Sequence, residues 1–308
     1  MSAASSLDLH QKLHEIFGFG EFRHLQEEAI EAALQGRDCL VVMPTGAGKS
    51  LTFQLPAALG EGVTIVISPL IALMRDQIIG LRERSKFAEI GAAYLNSSQS
   101  SDEQRDILTL LFAGKLRLLY VAPERLRSPQ FLETLRAAKV ARFVVDEAHC
   151  ISDWGHDFRP DYLSIKSFLE QIGHPPTFAV TATATKRVQD SIIENLGMRA
   201  PKVFVGGFNR PNLHFSVVKC KNDLERSNKL FKALPRLSGR GGSGLIYAST
   251  RKQCESVGDL AAQALAPLGK RVGIYHAGMD GNLRSQMQEA WLRGDLPLLV
   301  ATNAFGMG

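Results

Sequence analysis

The sequence predicts an α/β fold built as two successive parallel, doubly wound sheets, and three observations carry that expectation. Short runs rich in β-branched residues alternate with amphipathic stretches of helical period. The alternation breaks into a turn-rich segment at residues 206–212 and then resumes. The chain's 308 residues suffice for two domains, each burying its own core without disulfides or a structural metal. The expected domains are residues 1–206 and 207–308, joined at that turn-rich segment.

In the first domain the expected strands are residues 39–43, 63–67, 116–122, 143–146 and 178–181, each leading into a helical pattern. Their near-continuous apolar character fits strands buried on both faces, as parallel sheets require. In the second domain strands are expected at 213–219, 244–249, 272–275 and 298–302, with helices at 224–234, 251–265 and 283–292. The sheet is expected to end on 298–302. The glycine-rich run 238–244 reads as a surface loop or as a phosphate cradle, and no Lys-Ser or Lys-Thr follows it to decide for the cradle.

Composition narrows the class of protein. Hydrophobic residues make up 45% and charged residues 22%, which places the chain among globular proteins rather than disordered ones. No run approaches the roughly 18 apolar residues of a membrane span. Residues 1–9 lack the features of a secretory signal, so an intracellular protein is expected, in the nucleoid or cytoplasm of a bacterium or the nucleus of a eukaryote. Cys39, Cys150, Cys220 and Cys254 show no zinc-type spacing and are expected to be free thiols, with no zinc bound. The formal charge of +5 is compatible with a polyanionic partner, although many proteins that bind no nucleic acid are equally basic.

The chemistry concentrates after two of these strands. The strand at 39–43 runs into Pro44, Thr45, Gly46, Ala47, Gly48, Lys49 and Ser50, and an apolar helical segment follows. A glycine-rich turn between strand and helix lets backbone N–H groups face a phosphate, with the positive end of the helix dipole behind them. Lys49 would hold the β and γ phosphates and Ser50 would ligate magnesium. The strict phosphate-loop pattern has glycine at position 43, where this chain has methionine. Asp146 and Glu147 follow the strand ending at Val145. Parallel strands share one C-terminal edge, so this pair is expected beside the Lys49 loop. Asp146 would balance magnesium charge, and Glu147 would orient and deprotonate an attacking water. The plainer reading is acidic capping of the next helix.

Together these motifs make the chain similar to superfamily 2 helicases, and the flanking segments resemble the RecQ family. Residues 17–26 resemble that family's adenine-recognition motif, which implies that Gln26 reads the adenine edge, Arg23 assists and Phe19 stacks on the ring. A glutamine amide both donates and accepts, as adenine's edge demands; an ordinary amphipathic helix start is the competing reading. Further matches fall in family order at 68–77, 122–126, 181–184, 247–251, 275–279 and 301–308. The resemblance implies two RecA-like lobes, the second incomplete, with ATP and magnesium as cofactors. It also implies single-stranded DNA, forks or junctions as partners, 3′-to-5′ polarity, and roles in DNA repair and recombination.

The most specific element is the segment 150–162, which looks like the RecQ aromatic-rich loop. Trp154, one of two tryptophans, sits among polar residues where a core position is not expected. An aromatic ring in such a loop can stack on an unpaired base, with Arg159 engaging a phosphate or a nearby carboxylate. Trp154, Phe158 and Arg159 are therefore candidate DNA sensors, although Phe158 can equally anchor the loop. Thr181 and Thr183 are candidates to link nucleotide and DNA, or simply a helix cap. The resemblance gives His276 a DNA-backbone role, against the ordinary reading of a structural histidine.

The family's glutamine- and arginine-rich motif would lie beyond Gly308, as would its zinc module and winged helix. Arg251 and Arg284 do not stand in the arginine motif. The resemblance thus implies that residues 1–308 alone bind ATP and hydrolyse it poorly. Two other classes share parts of the pattern: an RNA helicase or duplex translocase, and a nucleotide-gated DNA-binding module without turnover.

Overall fold

The strands of the first part of the chain are β1 Cys39–Val42, β2 Val63–Ile67, β3 Ala92–Leu95, β4 Leu118–Val121, β5 Val140–Val145, β6 Thr177–Thr181 and β7 Lys202–Val205. They come from a computed structural model, which describes residues 6–69, 71–96, 99–155, 157–207, 212–238 and 241–305. The chain divides into two units, Met1–Arg210 and Pro211–Gly308. In the first unit all pairings are parallel and the strand order is β3-β4-β2-β5-β6-β1-β7. Parallel neighbours need crossover connections, and the helices that make them cover both faces of the sheet.

Successive strand residues point to opposite faces, and the core follows that period of two. Leu40, Val42, Phe143 and Val145 pack into one apolar layer, while Cys39, Val41, Val144 and Val180 pack into the other. Asp38 staples the opposite, N-terminal edge. Its buried carboxylate accepts hydrogen bonds from the backbone N–H groups of Thr177 at 2.8 Å and Arg199 at 2.6 Å, and its carbonyl accepts from Lys202 N at 2.9 Å. One residue thus sets β6 and the entry to β7 against β1.

The two strands that the sequence pattern does not reveal, β3 and β7, are the two edges of this sheet. β7 is covered little, with Lys202, Val203 and Val205 exposed, whereas β3 is largely buried but short and half alanine, a residue of weak β preference.

In the second unit the strands are β8 Gly244–Tyr247, β9 Val272–Tyr275 and β10 Leu298–Ala301, all parallel in the order β8-β10-β9. The helix Arg251–Leu265 packs its Cys254, Ala261 and Leu265 side against Leu298 and Val300. Two expectations are overturned here. Leu298–Ala301 is the central strand, not the end of the sheet, because spatial order in a parallel sheet need not follow chain order. Residues 213–219 form no strand: Phe215 and Val217 are 87% and 91% exposed, and no described strand pairs with them. Their alternating apolar pattern lacks the hydrogen-bonded neighbour that makes a strand. The turn-rich junction at 206–212 is described only at Gly206, Gly207 and Asn212, and residues 239–240 of the glycine-rich run also lie outside the described residues.

Replacing Asp38 by alanine leaves two N–H groups without their charged acceptor, and is expected to lower stability of the first unit by about 2–4 kcal/mol. Urea unfolding followed by Trp154 fluorescence in a Trp291→Phe background measures this. A loss below about 1 kcal/mol would show that Asp38 is not the staple.

Candidate functional site

The end of β1 delivers the glycine-rich loop. Met43 N donates to Thr181 O at 3.1 Å, after which Gly46 and Gly48 take positive φ values of 84° and 79° that only glycine adopts readily. Arg23 Nη1 donates to Gly46 O at 2.5 Å, and Gln26 Nε2 donates to Ala47 O and Gly48 O at 3.1 and 3.0 Å. In a trans peptide C=O and N–H point in opposite directions. Turning these carbonyls toward Arg23 and Gln26 therefore turns the N–H groups of Gly48 and Lys49 to the other face of the loop.

Gln26 is buried, and its Oε1 accepts from Arg23 N at 2.8 Å, so the amide itself is held in place. A Cβ at Gly48 would stand 2.5 Å from Gln26 Nε2, which makes glycine necessary there for approach as well as for φ. The apolar helix Leu51–Leu59 follows, anchored by buried Phe53 and Leu55, and aims its N-terminus at the loop. Thr45 is exposed. Phe19 is exposed too and stacks on Phe17 with ring centroids 6.2 Å apart. Beside them lies a cavity of about 480 Å³, lined by Phe17, Phe19, Gly48, Ser50, Gln54 and Gln77 among others.

The carboxylates emerge from β5, one strand away from β1 with β6 between them. Asp146 N donates to Ile67 O at 2.8 Å, and Tyr162 Oη donates to Asp146 O at 3.1 Å. Burial, and then the neighbouring Glu147 charge, push the Asp146 carboxyl up to about 7, while Lys49 pulls it the other way. The loop and the carboxylates are thus electrostatically in reach of one another. Glu147 has φ 46° and ψ 45°, a left-handed conformation that non-glycine residues rarely hold. Its Oε2 lies 3.3 Å from His149 Nδ1, which is also 2.8 Å from Thr181 Oγ1. Thr181 closes β6 and so connects the backbone entering the loop to the imidazole beside Glu147.

A buried carboxyl held up by a like-charged neighbour, with one lysine in reach, is a place where a divalent cation restores the ionised form. The Asp146 carboxyl therefore fits a divalent cation such as magnesium. Among the described residues His149, Cys150 and Asp157 also converge, their ligand atoms all within 4.8 Å of one another.

The segment 150–162 is tied to the Asp146–His149 turn by its backbone. Cys150 N donates to Glu147 O at 2.9 Å, Ser152 N to His149 O at 3.2 Å, and Arg159 N to Cys150 O at 2.9 Å. Gly155 presses against the same turn, where a Cβ would collide with the His149 carbonyl oxygen. Trp154 is 60% exposed, with the Arg187 guanidinium 3.2 Å from its ring centroid, and Phe158 is partly exposed. Arg159 pairs with Asp157 at 3.0 Å and donates to Pro69 O at 3.0 Å, bridging this segment to the end of β2. His156 lies outside the described residues.

The structure therefore brings Arg23, Gln26, residues 45–50, Asp146, Glu147 and the 150–162 segment to one edge of the first sheet. Thr183 is exposed at that edge, and its carbonyl accepts from Thr181 Oγ1 at 3.3 Å. His276 belongs to the second unit. It is 6% exposed, and its ring is engaged locally by Gly278 N at 3.2 Å and Glu255 Oε1 at 3.4 Å, the pattern of a structural histidine. Sequence reasoning missed Arg187, Gly155 and Tyr162. Gly155 sits within a motif that was recognised. Arg187 has no local signal, and its partner is 33 positions away in the chain.

The DEAD/DEAH box helicase family profile matches residues 23–191. The chain is 42% identical to "ATP-dependent DNA helicase RecQ" of Pasteurella multocida over 96% of this chain and 45% of that protein. It is 37% identical to "Probable ATP-dependent DNA helicase RecS" of Bacillus subtilis over 97% of this chain and 58% of that one. The chain thus spans about half the length of these relatives. Among solved structures, the Mycobacterium smegmatis helicase Lhr bound to ssDNA and AMP-PNP aligns at TM-score 0.68 and 20% identity, covering 93% of this chain and 40% of that one. At that identity the likeness speaks to the fold, a RecA-like α/β arrangement. No helix among the described residues is long and apolar enough to cross a membrane.

The raised Asp146 carboxyl has a measurable consequence. Its folded value, about 7, lies above the unfolded value of 3.8, so the folded state holds the extra proton between them and stability from this group falls as pH rises through that window. With chelator present and no nucleotide, Asp146→Asn is expected to raise Tm at about pH 8, with the gain shrinking toward about pH 5. A Tm gain that stays constant across this range would refute the charge penalty.

Proposed function

The chain belongs to the DEAD/DEAH box helicase family, as a RecQ-type core, and from that premise we propose that it is the ATP-driven motor of a DNA helicase. It couples ATP hydrolysis to 3′-to-5′ movement along single-stranded DNA and to duplex unwinding, inside the cell, in repair and recombination. The observation that carries this reading is the backbone tie between Glu147 and the Trp154 loop, because it joins a hydrolytic carboxylate to an exposed aromatic ring. Cys150 N on Glu147 O and Ser152 N on His149 O leave one little room to move without the other.

In this reading Lys49 and the N–H groups of Gly48 and Lys49 hold the phosphates, with Gln26 and Arg23 keeping the loop's carbonyls turned away. Phe19 stacks on adenine at the cavity beside the loop, and Gln26 reads the base's edge only once its amide leaves the Ala47 and Gly48 carbonyls. Ser50 and Asp146 hold magnesium, which when bound neutralises charge on the phosphate oxygens. Glu147 orients the attacking water and takes its proton, with His149 beside it to steady the carboxylate. Trp154 and Phe158 stack on bases and Arg159 answers the backbone charge. Stacking is indifferent to base identity, as a motor that passes every sequence requires. A base arriving on Trp154 competes with Arg187 for the ring, so DNA binding shifts the loop and, through it, Glu147. Thr183, exposed at the same edge, extends this surface.

ATPase rates with single-stranded DNA, duplex DNA and RNA test the assignment: turnover by residues 1–308 is expected to be slow throughout, with the strongest stimulation by single-stranded DNA. Stimulation by RNA alone would replace it with an RNA motor. Glu147→Gln keeps shape and hydrogen bonding but loses the base, so turnover is expected to fall by about 10²–10⁴ while nucleotide binding persists. Lys49→Ala is expected to lose nucleotide affinity itself; wild-type turnover in either variant would overturn the site.

Trp154→Ala is expected to lose most of the DNA stimulation, with DNA affinity falling by no more than the about 1–3 kcal/mol of one stacked base. Gly155→Ala, which removes no DNA contact, is expected to lose stimulation too because the loop must leave the His149 carbonyl. Normal stimulation in Gly155→Ala would break the coupling argument.

A further inference from the structure

We propose that His149, Cys150 and Asp157 bind a borderline-soft divalent cation such as zinc or cadmium, and that its occupancy locks the 150–162 loop and suppresses the response to DNA. The binding half stands on side-chain geometry alone. The regulatory half rests on the coupling role proposed above.

Cys150 Sγ lies 3.9 Å from His149 Nε2 and 3.8 Å from Asp157 Oδ2. Ligand atoms around tetrahedral zinc stand about 3.4–3.7 Å apart, given metal–ligand distances of about 2.0–2.3 Å. Both pairs that share the sulfur are therefore within a few tenths of an ångström of a coordinating arrangement. The histidine–aspartate pair needs the larger adjustment, and Asp157 is an exposed side chain on a loop, able to supply it.

The imidazole is already set for such a role. Thr181 Oγ1 stands 2.8 Å from His149 Nδ1, with Thr183 O a second partner for its hydroxyl at 3.3 Å. Glu147 Oε2 faces the same Nδ1 at 3.3 Å. With Nδ1 turned to these two oxygens, Nε2 is the ring nitrogen on the side of the sulfur, 3.9 Å away. A hydroxyl and a carboxylate behind the ring are the outer partners that orient metal-ligating histidines.

A nitrogen, a sulfur and an oxygen donor favour zinc or cadmium over magnesium or calcium, which take oxygen ligands. Three protein ligands leave a fourth position for water. Burial holds the Cys150 thiol in its protonated form, so the cation takes the place of that proton, which leaves to solvent.

Occupancy has a consequence for the loop. Asp157 Oδ2 now accepts from Arg159 at 3.0 and 3.2 Å. A cation on that oxygen repels the guanidinium, releasing Arg159 while fixing the loop to the turn that carries Glu147. The loop then no longer answers DNA.

The test uses the full chain in a Cys220→Ser background, which removes the one exposed thiol. Cadmium chloride is titrated while the cadmium–thiolate charge-transfer band is read in the ultraviolet, and zinc is then used to compete it away. A band saturating at one equivalent is expected, abolished by Cys150→Ser and shifted more than about tenfold in midpoint by Asp157→Asn. A band that survives Cys150→Ser, or a midpoint unmoved in the surface variant Asp157→Asn, overturns the site. Zinc at saturation is expected to suppress DNA-stimulated ATPase in the parent and not in Cys150→Ser. Undiminished stimulation at saturating zinc overturns the regulatory half while the band still decides the site. Absence of DNA stimulation in metal-free protein instead overturns the proposed function, and the regulatory half with it.

Discussion

The chemistry of the first unit depends on one constraint: β5, β6 and β1 lie side by side and parallel, so their C-terminal ends deliver Asp146, Thr181 and the Lys49 loop to one edge. No contact between distant side chains is needed to bring them together. Met43 N on Thr181 O and Asp146 N on Ile67 O continue the ladder past the last residues of the strands, so the loop and the carboxylates inherit the rigidity of the sheet. A slip of one residue in the β1–β6 register would reverse which side chains enter each apolar layer, and the two cores on either face forbid it. The site is accurate because the core is intolerant.

That accuracy is bought with local discomfort. Glu147 holds a left-handed backbone and Asp146 carries a carboxyl that burial pushes toward neutrality. Such features persist only where surrounding structure over-determines them. Here the determinants are Tyr162 and Ile67 on the backbone of Asp146, and Cys150 on the carbonyl of Glu147. The cation and phosphate chemistry proposed for this edge would relieve the charge penalty on Asp146, which links nucleotide occupancy to stability by mass action.

What could be read from the sequence divides along physical lines. Lys49, Ser50, Asp146 and Glu147 could be singled out because the phosphate and water chemistry proposed for them calls for those residue types shortly after buried strands. The buried strands were legible because both their faces are apolar. The edge strands β3 and β7 were not: β7 is exposed along most of its length, and β3, though buried, is four residues of which two are alanine. Residues 213–219 misled for the complementary reason: alternation describes a surface that suits a sheet but cannot supply the neighbour. The central place of β10 was beyond reach because strand order is a property of packing, not of sequence order. Gln26 was singled out for adenine, yet its amide hydrogens go to the Ala47 and Gly48 carbonyls, a role no spacing rule announces. Arg187 became visible only through its position over Trp154.

The 150–162 loop shows a division of labour that explains why this segment carries so specific a pattern. Gly155 and the backbone N–H groups of Cys150, Ser152 and Arg159 hold it against the Asp146–His149 turn, and Tyr162 anchors its far end. Trp154, Phe158 and Arg159 project from a scaffold already fixed. If sensing alone mattered, any mobile aromatic loop would serve, and Gly155 would tolerate a larger residue. If holding alone mattered, an exposed tryptophan clasped by a surface arginine would be superfluous. Both requirements in thirteen residues support the proposed coupling, in which displacement of the ring is felt at Glu147 along a route through Ser152, Cys150 and the His149 carbonyl. His149 and Cys150 lie on that route and Asp157 beside it, which is why a cation bridging them would act on coupling before it acted on binding.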